Sequence, residues 1–130
     1  MRNTIQILVL SVILGLSIAA AQQAAMTMTE LLRTDLSAPG REVVQILAVL
    51  PAGGASGGRH THPGEEVLYV IEGTIRIEVE GEPAVIRKAG ESFVAPAGKV
   101  HFASNEGTAT ARALATYIVE KGKPRTTFVR

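Results

Sequence analysis

The stretch Gly54–Gly73, GASGGRHTHPGEEVLYVIEG, decides how the rest of this chain is read. Its glycines end the apolar run before it. Two histidines then stand two residues apart, a carboxylate follows four residues later, and Val67–Ile71 leads into a turn at Gly73. On an extended backbone, residues at even spacing project from one face, so His60, His62 and Glu66 share a side. Two neutral imidazoles and a carboxylate, with no thiolate, suit Fe(II), Mn(II), Ni(II), Co(II) or Zn(II) at a five- or six-coordinate centre. Taken alone, these residues fit equally well a pair of surface histidines in a glycine loop.

Outward from this stretch the chain reads as short strands. Glu42–Leu50 is rich in Val, Ile and Leu, too short for a secure helix, and closed by Pro51 and the glycine-rich cluster 53–58. Thr74–Glu80 alternates, with Ile75, Ile77 and Val79 facing one way and Thr74, Arg76, Glu78 and Glu80 the other, the pattern of a half-buried strand. Val85–Arg87, Ser92–Ala95, Lys99–Ala103 and Arg112–Val119 are further candidates, and the prolines fall between runs rather than inside them. Many short strands with turn signals between them imply an all-β antiparallel sandwich or barrel. One domain is expected over 41–119, with a lead and first strand over 22–40 and a mostly basic tail over 120–130.

Composition narrows the function. The 130 residues suffice for one domain, and 46% hydrophobic against 19% charged residues argues for a packed core. A net charge of +1, two Tyr, three Phe and no Trp provide neither the basic stripe nor the stacking platform of a nucleic-acid binder. The absence of cysteine excludes disulfides, thiolate zinc sites, iron–sulfur clusters and Cys nucleophiles.

Residues 1–21 read as an address. Arg2 precedes an apolar core over Ile7–Ile18, and Ala19-Ala20-Ala21 supplies a small-residue cleavage site, so a secretory signal peptide is expected. An uncleaved anchor is the rival, since Ile5–Ala21 lies at the lower limit for spanning a bilayer. After cleavage the chain 22–130 would be periplasmic or secreted, with no membrane contact.

Two other motifs fail on context. Gly54-Ala-Ser56-Gly-Gly58 matches a serine-hydrolase elbow, but no helix start follows it and the sole Asp is Asp35. The same glycines lack the Gly-Lys-Ser/Thr that would make a phosphate loop. Glu65 and Glu72 read as solvated surface carboxylates.

The spacing around the histidines is more specific than the histidines themselves. Gly54-x5-His60-x-His62-x3-Glu66-x6-Gly73 resembles the first cupin motif at every fixed position, and Gly90-x5-Pro96-x-Gly98-x2-His101-x3-Asn105 resembles the second. Residues 74–89 separate them, and the flanking strands extend the likeness to about 30–120. The resemblance to a small single-domain cupin implies a jelly-roll β-barrel in which His60, His62, Glu66 and His101 ligate one divalent transition metal. Mn, Fe, Ni, Zn and Cu are all admissible. Gly73, Gly90 and Gly98 are then turn residues, Pro96 stiffens the approach to His101, and Asn105 hydrogen-bonds the turn after its strand.

Two functions fit that resemblance. One is a metal-dependent enzyme, dioxygenase-type or an isomerase, with Glu66 available as a base. The other is a non-catalytic module that holds a metal or senses a small ligand. Expected pocket residues are Leu, Val, Ile and Ala with Phe93, Phe102 or Tyr117, and no charge beyond Glu66 stands out, which favours a small, largely apolar substrate. A homodimer is expected, closed by pairing of Thr126–Val129 or Thr29–Leu36 with an edge strand of a second copy; a frayed tail is the alternative.

Overall fold

The computed structural model describes residues 24–130, so the expected signal peptide lies outside the described residues. Ten strands follow in chain order: β1 Thr27–Asp35, β2 Arg41–Leu50, β3 His60–Thr61, β4 Gly64–Glu72, β5 Thr74–Val79, β6 Val85–Lys88, β7 Ser92–Ala95, β8 His101–Ser104, β9 Ala111–Glu120 and β10 Thr127–Phe128. They form two five-stranded sheets, ordered β1-β2-β9-β4-β7 and β10-β3-β8-β5-β6. Neighbouring strands pair antiparallel throughout. No helix occurs among the described residues, and the architecture is the all-β jelly roll expected from the sequence.

The core lies between the sheets and follows the alternation of the strands. Val44, Ile46, Ala48 and Leu50 point inward from β2, Leu68 and Val70 from β4, and Ile75, Ile77 and Val79 from β5. Each fully buried Val, Leu or Ile stabilises the fold by about 1.5–3 kcal/mol. The inner face of β9 differs, reading Ala111, Ala113, Ala115, Tyr117 and Val119. Three alanines in a row on the central strand leave space beside them, and that space becomes a cavity.

Three elements differ from the sequence reading. β1 is exposed along its whole length and is held by its ladder to β2, with a bulge between Glu30 and Leu32. β3 is only two residues long and pairs with β8 at His60–His101. Thr127 and Phe128, expected to pair with a second copy or else to fray, are ordered in a ladder with Thr61 and His60 of their own chain. The two-residue ladder therefore lays the C-terminus alongside the histidine strand.

Candidate metal centre

Four side chains converge from both sheets. His60 stands on β3, His62 in the link to β4, Glu66 on β4 and His101 at the start of β8. One ligand atom from each lies within 4.8 Å of the others. Nε2 of His62 is 3.1 Å, and Nε2 of His101 3.2 Å, from Glu66 Oε2. The three histidines are buried, at 6%, 3% and 3% exposure for His60, His62 and His101.

The backbone aims the rings. Carbonyls only accept, so each imidazole Nδ1–H donates to the one beside it: His60 to Gly58 O at 2.8 Å, His62 to Arg125 O at 2.6 Å, and His101 to Lys99 O at 2.9 Å. Occupying Nδ1 turns every Nε2 toward the common centre and fixes the tautomer a metal needs. Two nitrogens about 2.1 Å from one ion, on opposite sides, are about 4.2 Å apart, so a spread of 4.8 Å closes on an ion with sub-ångström movement. The four residues form a group that could hold a metal ion.

Glycines let the strands approach closely enough for this. A Cβ on Gly64 would sit 2.0 Å from the Ile118 carbonyl oxygen, so only glycine lets the start of β4 lie against β9. Gly98, at φ +69°, donates its N–H to His62 O at 3.0 Å, tying the approach to His101 onto the loop that carries His62. Asn105 is buried and clamps the chain, its Nδ2 donating to Leu50 O and Ala109 O and its Oδ1 accepting from Gly107 N–H. That is the expected turn role.

The electrostatics are those of a carboxylate among imidazoles. Burial alone would raise Glu66, but the hydrogen bonds from His101 and His62 outweigh it and hold the carboxyl at about 2. Burial likewise opposes charge on His101, yet its bonds to Glu66 and to the Lys99 carbonyl raise it overall. His60 is lowered, chiefly by burial. Burial, then the charge of Glu66, pushes the Tyr117 phenol well above its usual range.

Two adjoining spaces border the group. An inner chamber of about 40 Å³ has Glu66, His60 and His101 on its polar side and Leu50, Leu68, Ile75, Ile77, Phe93, Ala113 and Ala115 among its apolar walls. An outer pocket of about 130 Å³ is bounded by His60, His62, Tyr117, Arg125, Thr126 and Phe128 with Met26, Met28 and Ser56. His60, Tyr117, Ser56 and Met26 line both.

Of the expected pocket residues, Phe93 and Tyr117 are in place. Phe102 is not: it follows His101 on β8, opposite Glu78, on the other face of the strand. Ser56 Oγ accepts from Ala103 N–H and forms no hydrogen bond with a histidine among the described residues, as expected for a loop residue rather than a nucleophile. The expectation of no pocket charge beyond Glu66 is corrected by Arg125, whose guanidinium stands 5.1 Å from the centre of the Tyr117 ring. A basic tail gives no sign in sequence of where it returns; the signal was the strand-like Thr126–Val129 beside it.

Comparison with known proteins agrees with the geometry. Residues 46–117, more than half of the chain, match the family model described as the Cupin domain. This chain belongs to the cupin superfamily. Among curated proteins no relative matches its sequence. Among solved structures, a double-stranded β-helix protein from Klebsiella pneumoniae is 18% identical with a TM-score of 0.67, over 84% of this chain and 88% of that one. A protein from Thermus thermophilus is 26% identical at TM-score 0.63, over 76% and 90%. A recombinant oxalate oxidase in complex with glycolate is 25% identical at TM-score 0.63, over 79% of this cupin but 54% of the oxidase. The cupin thus spans about half the length of that enzyme.

Proposed function

We propose that this cupin is an exported metalloenzyme that holds one divalent transition metal through His60, His62, Glu66 and His101 and carries out dioxygenase-type oxidation of a small organic molecule. The observation that supports it most is the convergence of three backbone-anchored imidazoles and one carboxylate beside an apolar chamber. Bound there, the metal would supply open coordination positions for substrate and O2 and serve as Lewis acid and electron conduit. The protein's part is to orient the ligands through the Gly58, Lys99 and Arg125 carbonyls, and to exclude bulk water with Leu50, Leu68, Ile75 and Phe93. Glu66 would be a ligand of the metal before it is a base. It could take a proton from substrate only on leaving the metal. The likeness to an oxalate oxidase holding glycolate supports an oxidoreductase acting on a ligand of few heavy atoms. Placement in the periplasm or outside the cell rests on the signal-like residues 1–21.

Metal analysis of protein purified without chelator, with oxygen uptake against diketones, catechols, flavonols, thiols and short-chain carboxylates, tests the reading. Uptake should occur with one substrate class. It should fall in Ala115→Val, which narrows the chamber and changes none of the four ligand residues. Stoichiometric metal without turnover of any substrate would overturn the enzyme and leave a metal- or ligand-holding module.

A further inference from the structure

Arg125 is the one cation bordering the outer pocket among the described residues, and its side chain is incompletely satisfied. Its Nε is buried with no hydrogen-bond partner, alone in this among the buried side-chain nitrogens and oxygens of the described residues. Nor does any Asp or Glu among the described residues form an ion pair with it. A guanidinium nitrogen removed from water and left unpaired costs free energy, and the natural remedy is an anion. The side chain is also preorganised: its group stands over Tyr117, and its own carbonyl is fixed by His62. Charge points the same way. A divalent ion with three neutral imidazoles and Glu66 leaves one positive charge, to which Arg125 adds another, so the pocket favours a negative ligand.

The geometry points to the Arg125 guanidinium as the recognition group for a carboxylate on the substrate in the outer pocket, while the apolar body of the ligand lies toward the chamber. This deepens the proposed function, and rests on it for the metal but not for the anion. A planar fork matches a carboxylate in two parallel hydrogen bonds, which an ammonium cannot reproduce. The substrate class is therefore a short-chain monocarboxylate, rather than a neutral apolar molecule.

Calorimetric titration of the metal-loaded protein with butyrate and with butyramide, which share a shape and differ in charge, tests this directly. Butyrate should bind at least tenfold more tightly. Arg125→Gln should cost butyrate at least tenfold and leave butyramide unchanged, and Arg125→Lys should restore only part of the loss. Metal content, measured on every sample, separates the two readings. If wild type holds no metal yet still prefers butyrate through Arg125, the metal reading fails and this one stands. Equal affinity of wild type for acid and amide overturns the carboxylate site without reference to any variant. Unchanged butyrate binding in Arg125→Gln overturns the role of Arg125.

Discussion

His62 and Arg125 are joined by a 2.6 Å hydrogen bond across 63 residues of sequence, the imidazole Nδ1–H donating to the arginine carbonyl. The C-terminal segment is thus part of the candidate metal centre. It orients one candidate ligand, His62, through a main-chain carbonyl, and β10 pairs with the strand that carries another, His60.

Deleting residues 124–130 should therefore weaken metal binding while the barrel still folds. Losing the group that orients a metal-bound histidine typically costs about 10–100-fold in affinity, and that range is expected here. Metal titration followed by calorimetry reads it, with strand content by circular dichroism as control. A truncated chain that binds metal as tightly as the full one would show that the Arg125 carbonyl is a bystander.

The intact chain should carry about one divalent ion, as a preformed ligand set does. The bound form should melt higher than the chelated form. Metal at a hundred times its Kd adds about 2.7 kcal/mol to stability by mass action. His60→Ala with His62→Ala should abolish both the metal and the shift, as elemental analysis and thermal melts would show. Stoichiometric metal in the double variant would remove these histidines from the site.

Acid should strip the metal and then weaken the empty fold. Imidazole nitrogens must be unprotonated to ligate, so occupancy falls as pH drops below about 6.5, with coordination delaying the loss. In metal-free protein, the folded Glu66 carboxyl stands at about 2 against an ordinary 4.5. A lowered folded value means its contribution is present above 4.5 and is lost as pH falls toward 2. His101 behaves oppositely. Its raised value gives a contribution complete below 6.5, declining as pH rises through the folded value. Melting temperatures of metal-free wild type and Glu66→Gln should converge between pH 4.5 and 2. Parallel curves over that window would deny the coupling.

Gly64→Ala should be among the more damaging single-methyl changes in the chain. The added Cβ would meet the Ile118 carbonyl oxygen at 2.0 Å, backbone against backbone, with no flexible end to yield. Overpacking of this kind costs about 1–3 kcal/mol and occasionally more. Gly81 is the control, with φ +81° but nothing within 4 Å, where alanine meets only the left-handed penalty of about 1–2 kcal/mol. Denaturant unfolding of both variants ranks them. If Gly64→Ala proves the milder, β4 does not need its close seat on β9.

How much of this could be read in advance depended on sequence distance. β5 was legible because one face is buried, so Ile75, Ile77 and Val79 alternate with Thr74, Arg76 and Glu78. The convergence of His60, His62, Glu66 and His101 was legible because the spacing of the fold's two motifs is fixed. β1 gave no alternation because all nine of its residues are exposed. β3 and β10 are two residues each, below any periodic signal, and exist only through pairing across the chain. Arg125 was hidden for the same reason. Its place follows from that long-range ladder, not from the basic residues around it.

Assembly, finally, should use a sheet face rather than a sheet edge. β10 offers an edge of only two residues and β1 is interrupted by the bulge between Glu30 and Leu32, so the outer side of β1-β2-β9-β4-β7 is the better surface for a twofold contact. Register places Val43 opposite Ile118, Leu47 opposite Leu114, Tyr69 opposite Leu114 and Val67 opposite Val94 on that side, with Tyr69 45% and Val94 51% exposed. Five strands spaced by about 4.8 Å, each up to about 33 Å long, make a face of roughly 600 Å². A standard interface takes about 800 Å² per partner, so this face and its rim are of the right order. Light scattering should give twice the chain mass. Leu47→Lys with Leu114→Lys, two half-buried positions opposite each other on β2 and β9, should give the single mass with metal content intact. A wild-type protein that scatters as a monomer would leave this face without a partner, and a dimer that survives both lysines would move the contact elsewhere.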